Sequence, residues 1–198
     1  MFKTALVKQS VSHPGERLLD LGCGTGTLTM IMAENEAELQ VVGVDTDPTT
    51  LEKAQKKLSS FGNRVSLQQG FAQQLPFKRD SFVIVVSSLF FHHLTKAQKI
   101  ETLKEIFRVL KLGGRLHIAD WGKTSSFVQQ VLFIVVQLLD RFETTQDSVE
   151  NALPKLIKDS GVTHIANRHF FISRVRLLIL LRRSKRLDTC SLFIKQVI

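Results

Sequence analysis

Glycines and a carboxylate occur near the amino terminus in a spacing typical of nucleoside binding. Gly22, Gly24 and Gly26 directly follow a short apolar segment, and Asp45 ends a second apolar segment nineteen residues after Gly26. A glycine-rich turn after a strand lets the backbone approach a ligand, and a carboxylate ending the next strand accepts hydrogen bonds from ribose hydroxyls. The spacing therefore predicts an adenosine-containing ligand at the strand ends of a doubly wound α/β fold.

Two residues around the turn discriminate between adenosine ligands. A dinucleotide fingerprint has a further glycine at the position that Thr27 occupies. Asp20, just before the turn, would repel a pyrophosphate, which is bound by helix N–H groups away from other anions. S-adenosyl-L-methionine has an adenosine, no phosphate and two positive centres, so we predict this cofactor and not NAD.

Further landmarks follow the turn in a familiar order. With this spacing the chain resembles the class I S-adenosylmethionine-dependent methyltransferases, in their small-molecule, type 11-like branch. The resemblance covers about residues 16–121, and its later landmarks are the segments 75–77, 81–82, 91–94 and 108–116. It implies a Rossmann-like fold with a mostly parallel seven-stranded sheet, doubly wound with helices on both faces, and methyl transfer as the activity.

The resemblance also implies which residues bind the cofactor. Around the methionine part it places the glycine turn and its neighbours, namely Asp20, Gly22, Cys23, Gly24 and Gly26. Asp45 accepts both ribose hydroxyls, Thr46 lies against the adenine, and the backbone near Ser87 faces the methionine ammonium.

Two positions depart from the family pattern. Phe71, followed by Ala72, stands where relatives often have an aspartate that accepts the adenine amino group, so Phe71 is expected to stack on the adenine or to pack in the core. Val83 stands where an aspartate is common in the fourth strand. These departures keep a second hypothesis open, namely a cofactor-binding protein without turnover.

His92 and His93 follow the fourth predicted strand, at the edge of the sheet where ligands bind. Either histidine is a candidate catalytic base that takes a proton from the acceptor. The alternative is that one histidine caps the local loop and the other packs under a lid. Adjacent histidines point in different directions and no third ligand has a recognisable spacing, so we predict no metal site.

Strand and helix patterns alternate along the chain, which predicts a parallel sheet covered on both faces. The patterns place strands near 17–21, 40–44, 64–68, 82–87 and 115–119, and helices near 25–35, 48–61 and 96–110. Asp47 is expected to cap the second helix with Pro48 at its first position, and Gly113-Gly114 to end the third.

We expect residues 1–198 to form one methyltransferase domain. Its parts are a short amino-terminal helix in 1–15, a helical lid or insert in 122–161, and carboxyl-terminal strands with a basic segment in 162–198. The family would place two antiparallel strands near 163–171 and 190–197, which leaves Ser173 to Asp188 unassigned.

The predicted helix 124–141 is apolar on nearly every side, which is more than one sheet face requires. Only 16 residues precede the first strand. Three alternatives therefore stay open for the cofactor site: this helix closes it, a partner chain in an oligomer completes it, or the site is open. The excess apolar surface predicts a small, lipophilic acceptor, with quinone-like or lipid-like compounds as the first choice.

Positive charge is concentrated at the carboxyl terminus. Residues 168–198 carry eight basic side chains and one acidic side chain, which is +7 of the net charge of +9. Within them, Phe171 to Arg186 combines apolar and basic residues, as do segments on anionic membranes or nucleic acid. We favour a strand or helix packed on the domain. The segment 87–90 lacks the signature of nucleic-acid amino methylases, which argues against nucleic acid as substrate.

The composition predicts a cytoplasmic protein. The chain has two cysteines, no recognisable signal peptide, and no apolar run near the roughly 20 residues that span a bilayer. The family resemblance, for its part, implies methyl transfer to a small, apolar acceptor by in-line displacement. The alternative is a non-catalytic binding or interaction protein that uses its basic carboxyl-terminal segment.

Overall fold

The computed structural model describes residues 2–10, 12–121, 165–169 and 175–181, which form one sheet with helices packed on it. The strands are β1 (Arg17–Leu21), β2 (Gln40–Asp45), β3 (Val65–Gln69), β4 (Phe82–Ser88), β5 (Leu110–Trp121), β6 (Ile165–His169) and β7 (Val175–Leu181). The helices are α1 (Phe2–Gln9), α2 (Thr27–Asn35), α3 (Pro48–Leu58) and α4 (Lys96–Val109), with short 3-10 helices at Ser59–Arg64 and Phe91–His93.

The sheet has the strand order β3-β2-β1-β4-β5-β7-β6. Strands β1 to β5 run parallel, whereas β7 is antiparallel to both β5 and β6. The predicted doubly wound, mostly parallel sheet is therefore confirmed. The chain winds from β1 to β2 and β3 on one side and to β4 and β5 on the other, so a crevice opens at the carboxyl ends of β1 and β4, the usual ligand site of such sheets.

Alternate residues of the central strands enter two separate apolar clusters. Leu19 and Val85 belong to the cluster that includes the buried face of α4. Leu18 and Ile84 belong to the cluster that includes residues of α1 and α2. Successive side chains of a strand point to opposite faces of the sheet, so each face has its own core and its own covering helices.

The first four strands and three helices lie within a few residues of their predicted positions, and Asp47 caps α3 as predicted, with its side chain accepting the Thr49 N–H at 2.9 Å. The end of α4 lies within one residue of its predicted position, but the prediction that Gly113-Gly114 ends the helix is wrong. The helix ends at Val109, before the glycines, and residues 110–114 already belong to β5. Val109 O, at the end of α4, accepts a hydrogen bond at 2.7 Å from the N–H of Ser81 in the loop before β4. At this tertiary contact the helix ends, and the chain continues directly into β5.

Only part of the carboxyl-terminal prediction falls on described residues. β6 lies within the segment predicted as a strand, but β7 lies at Val175–Leu181, in the segment that was left unassigned. There β7 is paired along both edges, which agrees with the packed-strand alternative for this part of the basic segment. The predicted strand near 190–197 and the predicted helix 124–141 lie outside the described residues.

One side chain ties two of the sequence landmarks together. The Arg108 guanidinium donates to the carbonyl oxygens of Phe77 at 2.6 Å and Leu75 at 2.9 Å, and it also pairs with Glu105. Glu105 accepts the Leu75 N–H at 2.8 Å, and the Arg108 hydrogen bond holds the pKa of the Glu105 carboxyl below its usual value. The 75–77 segment is thereby fixed against α4, close to the sheet edge where the chain leaves β3.

Candidate functional site

A cavity of about 590 Å³ opens at the carboxyl ends of β1, β2 and β4. The turn 22–24 after β1 and the segment 45–47 at the end of β2 line one side. Residues 88–90 after β4, with His93, line another, and residues 71–73 after β3 complete the rim. The cavity therefore occupies the crevice that the strand order predicts, at the end of the sheet where the candidate residues converge.

Two of the three glycines shape the cavity for different reasons. A Cβ on Gly22 would lie 2.4 Å from the ring of Phe90, so only glycine allows the β1 turn and the β4 end to meet there. Gly24 has a φ of +54°, which side chains rarely adopt, and a Cβ on it would meet nothing within 4 Å. Gly24 therefore presents bare backbone to open space. Gly26 is not among the cavity-lining residues; it lies beneath α3.

Asp45 fastens the glycine turn to β2. Its carboxylate accepts the Gly24 N–H at 2.8 Å and the Asp47 N–H at 3.1 Å, one on each oxygen. Each carboxylate oxygen has a second lone pair, so the group can still accept hydrogen bonds from ligand hydroxyls in the cavity that it lines. Sequence reasoning predicted the ribose contact and missed this structural role.

Asp20 is buried behind the turn and does not line the described cavity. Thr29 donates its hydroxyl to Asp20 Oδ2 at 2.6 Å, whereas Oδ1 has no hydrogen-bond partner among the described residues. Burial raises the pKa of the Asp20 carboxyl to about 6, against the opposing effects of the Thr29 hydrogen bond and the Lys3 charge. A buried carboxylate with an unused oxygen favours a cationic ligand group, because such a group would stabilise its charged form.

The neighbouring cavity residues differ in how exposed they are. Cys23 is buried, and burial followed by the nearby Asp20 and Asp45 carboxylates raises the pKa of its thiol, so the thiol is neutral and is not a nucleophile. Thr46 lines the cavity and Ala72 is buried in its wall. Phe71 is 67% exposed at the rim, which excludes the alternative that its ring is part of the core.

The predicted site residues at the end of β4 and after it have different roles: some join parts of the structure, and others line the cavity. Ser87 is buried and donates its hydroxyl to Leu21 O at 2.9 Å, so it joins β4 to β1 and does not line the cavity. His93 lines the cavity, whereas His92 is turned to Asp120 at the end of β5. The structure thus separates the two histidines that sequence reasoning could not distinguish.

Lys3 and Phe90 are cavity residues that sequence reasoning did not identify. Lys3, from α1, is the one Lys or Arg side chain among the described residues that line the cavity, and no motif marks it. Phe90 packs on Gly22, and its only signal was its place just before the histidines.

Within the described part of the chain, no group of three or more His, Cys, Asp or Glu side chains could hold a metal ion. No helix there is both long enough and apolar enough to span a bilayer. Three features are compatible with S-adenosyl-L-methionine: the open space at Gly24, the Asp45 carboxylate in the cavity wall and, behind the turn, a buried Asp20 oxygen without a hydrogen-bond partner among the described residues.

Comparisons with known proteins agree with this geometry. Residues 18–114 match the family model of a methyltransferase domain. An uncharacterised methyltransferase of Synechocystis sp. is 29% identical over 88% of this chain and 79% of its own length. The ubiquinone/menaquinone biosynthesis C-methyltransferase UbiE of Blochmanniella floridana is 35% identical over 67% of this chain and 53% of its own length. The chain thus spans about half the length of UbiE.

A solved structure shares the fold. Phosphoethanolamine N-methyltransferase 2 of Haemonchus contortus, in complex with S-adenosyl-L-methionine, matches 92% of this chain and 52% of that protein, with a TM-score of 0.75 and 18% sequence identity.

Proposed function

This chain carries a class I, S-adenosylmethionine-dependent methyltransferase domain of the small-molecule type, and we propose that it transfers a methyl group to a small, lipophilic acceptor. The observation that carries the proposal is the cavity at the carboxyl ends of β1 and β2. There the glycine turn and the Asp45 carboxylate line one crevice, and the unused oxygen of Asp20 is buried behind the turn.

Each cofactor-binding residue has a role that follows from its place. Asp45 binds the ribose hydroxyls while it holds the turn, and Gly24 lets the backbone approach the methionine part. Thr46 and Phe71 lie at the adenine end of the cavity, where the exposed ring of Phe71 can stack on the base. Asp20 attracts the ammonium group, and the chain around Ser87 holds the β4 end in place.

The bound cofactor supplies a methyl group on a positively charged sulfur, which is already activated for transfer. The protein therefore has to hold the acceptor in line with that methyl group and to exclude water. This requirement explains why the described cavity has no nucleophile activated by an adjacent base. The acceptor's proton still needs a destination, and His92 and His93 are the candidate bases.

Two observations support a quinone-type acceptor. Relatives that share about half of their length with this chain are named ubiquinone/menaquinone or demethylmenaquinone methyltransferases. The sequence also predicts an apolar helix at 124–141, which lies outside the described residues and is one of the alternatives expected to close the site. A cytoplasmic location, peripheral membrane contact through the basic segment and an oligomer that completes the site remain predictions.

Calorimetry and turnover test the proposal in sequence. We expect the full chain to bind S-adenosylhomocysteine and S-adenosylmethionine, and to bind NAD much more weakly. Incubation with labelled S-adenosylmethionine and a short-chain demethylmenaquinol should give a methylated quinol detectable by mass spectrometry. Tighter binding of NAD would overturn the cofactor assignment. Cofactor binding with no labelled product, from quinols or from a cell extract, would support the non-catalytic alternative.

A further inference from the structure

We propose that Asp120 is a positioning residue, which holds His92 so that the adjacent His93 stands in the cavity wall and takes the proton of the methyl acceptor. This inference rests on the proposed methyl transfer. It assigns different roles to two neighbouring histidines that the sequence left equivalent, and it adds a third residue from the far end of β5.

Asp120 holds His92 at two points. Its Oδ1 lies 2.8 Å from His92 Nδ1, and its Oδ2 accepts the His92 backbone N–H at 3.1 Å. Both side chains are largely buried, at 11% and 7% exposure for His92 and Asp120. A carboxylate that accepts from Nδ1 keeps the imidazole proton on that nitrogen and fixes the ring orientation. The 3-10 helix Phe91–His93 is thereby anchored to the end of β5.

His93 is held against this anchored ring. The two imidazole centroids are 3.9 Å apart and their planes are inclined by 44°. His93 lines the cavity together with Leu94 and Gln98, whereas His92 is not among the lining residues. A catalytic base must first be within reach of the proton that it takes, so the cavity position selects His93.

The charges around the histidines suit this division. Lys3, Asp45 and Asp47 share the cavity wall with His93, and Asp120 lies behind His92. The Asp120 carboxylate, which lies behind the neighbouring His92 ring, stabilises the positive charge that His93 gains with a proton. Water reduces this effect because His93 is exposed.

The transfer balances with these groups alone. A lone pair or π pair of the acceptor, a quinol for example, forms the new bond to the methyl carbon. The carbon–sulfur bond breaks, and its electron pair stays on sulfur as the neutral thioether. The acceptor's proton goes to the imidazole of His93 and then to solvent, so no oxidant or reductant is consumed.

The positioning role can be tested without turnover. In long-range ¹H–¹⁵N spectra of the full chain with S-adenosylhomocysteine, we expect His92 to show one tautomer, with its proton on Nδ1. Asp120→Asn should give mixed tautomers, because the two His92 N–H groups are accepted by different oxygens and the amide replaces one of these oxygens with an NH₂ group, which only donates. The chemical shifts of the His93 ring should change in the same variant. His13→Gln, in the exposed loop before β1, is the control variant and should leave both histidines unchanged.

Kinetics with short-chain demethylmenaquinol test the base role. We expect His93→Gln to lower kcat by about 100-fold or more, with cofactor affinity kept and the acidic limb of the pH profile lost. Asp120→Asn should lower kcat by about tenfold with little change in KM, and His13→Gln should have no effect.

Three results would overturn the proposal. The first is a His93 signal that does not respond to Asp120→Asn. The second is loss of turnover in His92→Gln while His93→Gln stays active, which would make His92 the base. The third is unaltered turnover in both His93→Gln and Asp120→Asn. If the wild-type chain binds the cofactor but gives no labelled product, from quinols or from a cell extract, the proposed function fails and the base role falls with it, while the spectra still decide the positioning role.

Discussion

The two sides of the cavity are fixed by different kinds of contact. The β1–β2 wall (residues 22–24 and 45–47) is held largely by backbone N–H groups: Gly22 and Cys23 donate to Val44 O, and Gly24 and Asp47 donate to the Asp45 carboxylate. The β4–β5 wall (residues 88–94, with Asp120 behind it) has a backbone hydrogen bond from Leu89 N–H to Ala119 O at 2.8 Å and, in addition, a contact between two side chains, the His92–Asp120 pair.

This difference indicates how far the sequence of each wall can vary. Backbone contacts need particular conformations, so the β1–β2 wall tolerates few substitutions and suits a ligand that does not change among relatives. Side-chain pairs can be exchanged without altering the strands that bear them. The β4–β5 wall is therefore the side where we expect specificity for the acceptor to reside, and the following experiments probe the two walls from the largest expected effect to the smallest.

Gly22→Ala should have the largest effect, because the walls touch at this position. The new Cβ would lie 2.4 Å from Phe90 and the φ is +71°, so we expect a loss of roughly 3–4 kcal/mol of unfolding free energy, from packing and backbone strain together. Urea denaturation measures it. Gly15→Ala has a similar φ of +76° but open space, and should lose only the strain part. Equal losses in both variants would show that the walls do not constrain each other.

Asp20→Asn should stabilise the chain while it weakens cofactor binding. Folding raises the pKa of Asp20 from 3.8 to about 6, so stability from this group is highest below the unfolded pKa and falls as the pH rises through about 6. Above that pH the buried charge costs about 3 kcal/mol, which the amide avoids. Denaturation at pH 7.5 should show a gain for Asp20→Asn that shrinks at pH 5.

The same carboxylate should make cofactor affinity depend on pH. Protonation of Asp20 removes the negative charge, so the wild-type chain should bind S-adenosylhomocysteine more weakly as the pH falls below about 6, and Asp20→Asn should lack this dependence. Calorimetry at several pH values measures both. An Asp20→Asn variant with unchanged affinity would remove Asp20 from the site.

Asp45→Ala should weaken cofactor binding by roughly 1–3 kcal/mol, the usual effect of losing hydrogen bonds to a charged group. It also frees the Gly24 and Asp47 N–H groups, so the turn should exchange its amide hydrogens faster. Glu52→Ala, at an exposed position of α3 that does not line the cavity, serves as a control for general damage. An unchanged dissociation constant would show that Asp45 has only its structural role.

Phe71→Ala should lower cofactor affinity by about 1 kcal/mol, the lower end of stacking between a base and an aromatic ring. Because Phe71 is 67% exposed, the melting temperature should hardly change. A paired melt and titration separates the two effects. A large loss of stability with unchanged affinity would contradict the adenine contact.

Lys3→Met should have the smallest effect, up to about 1 kcal/mol, as is typical of partly exposed charge pairs. We expect Lys3 to bind the methionine carboxylate, so the variant should bind S-adenosylhomocysteine more weakly and 5′-methylthioadenosine, which lacks the amino-acid part, unchanged. Lys8→Met, on the exposed side of α1, is the matched control. Equal weakening of both ligands would exclude the carboxylate contact.

Much of the β1–β2 wall could be predicted from the sequence, because its requirements are local. Gly22 and Gly24 have backbone conformations that other residues rarely adopt, and Asp45 lies at the end of its strand, at a typical spacing after the glycines. The alternation of strands and helices likewise predicted the parallel sheet, since strands buried on both faces are near-continuous apolar runs between helical segments. The assigned ligand contacts of these residues remain predictions.

The tertiary structure alone decided what depends on residues far apart in the chain. His92 and Asp120 are 28 positions apart, and no spacing rule links them, so only the pairing of β4 with β5 showed which histidine faces the cavity. Lys3 lines the cavity because α1 packs on the sheet. The basic segment contains β7 because this strand pairs with β5 along one edge and with β6 along the other. Local pattern fixes what an element is, whereas its neighbours are fixed by packing and by hydrogen bonds between distant segments.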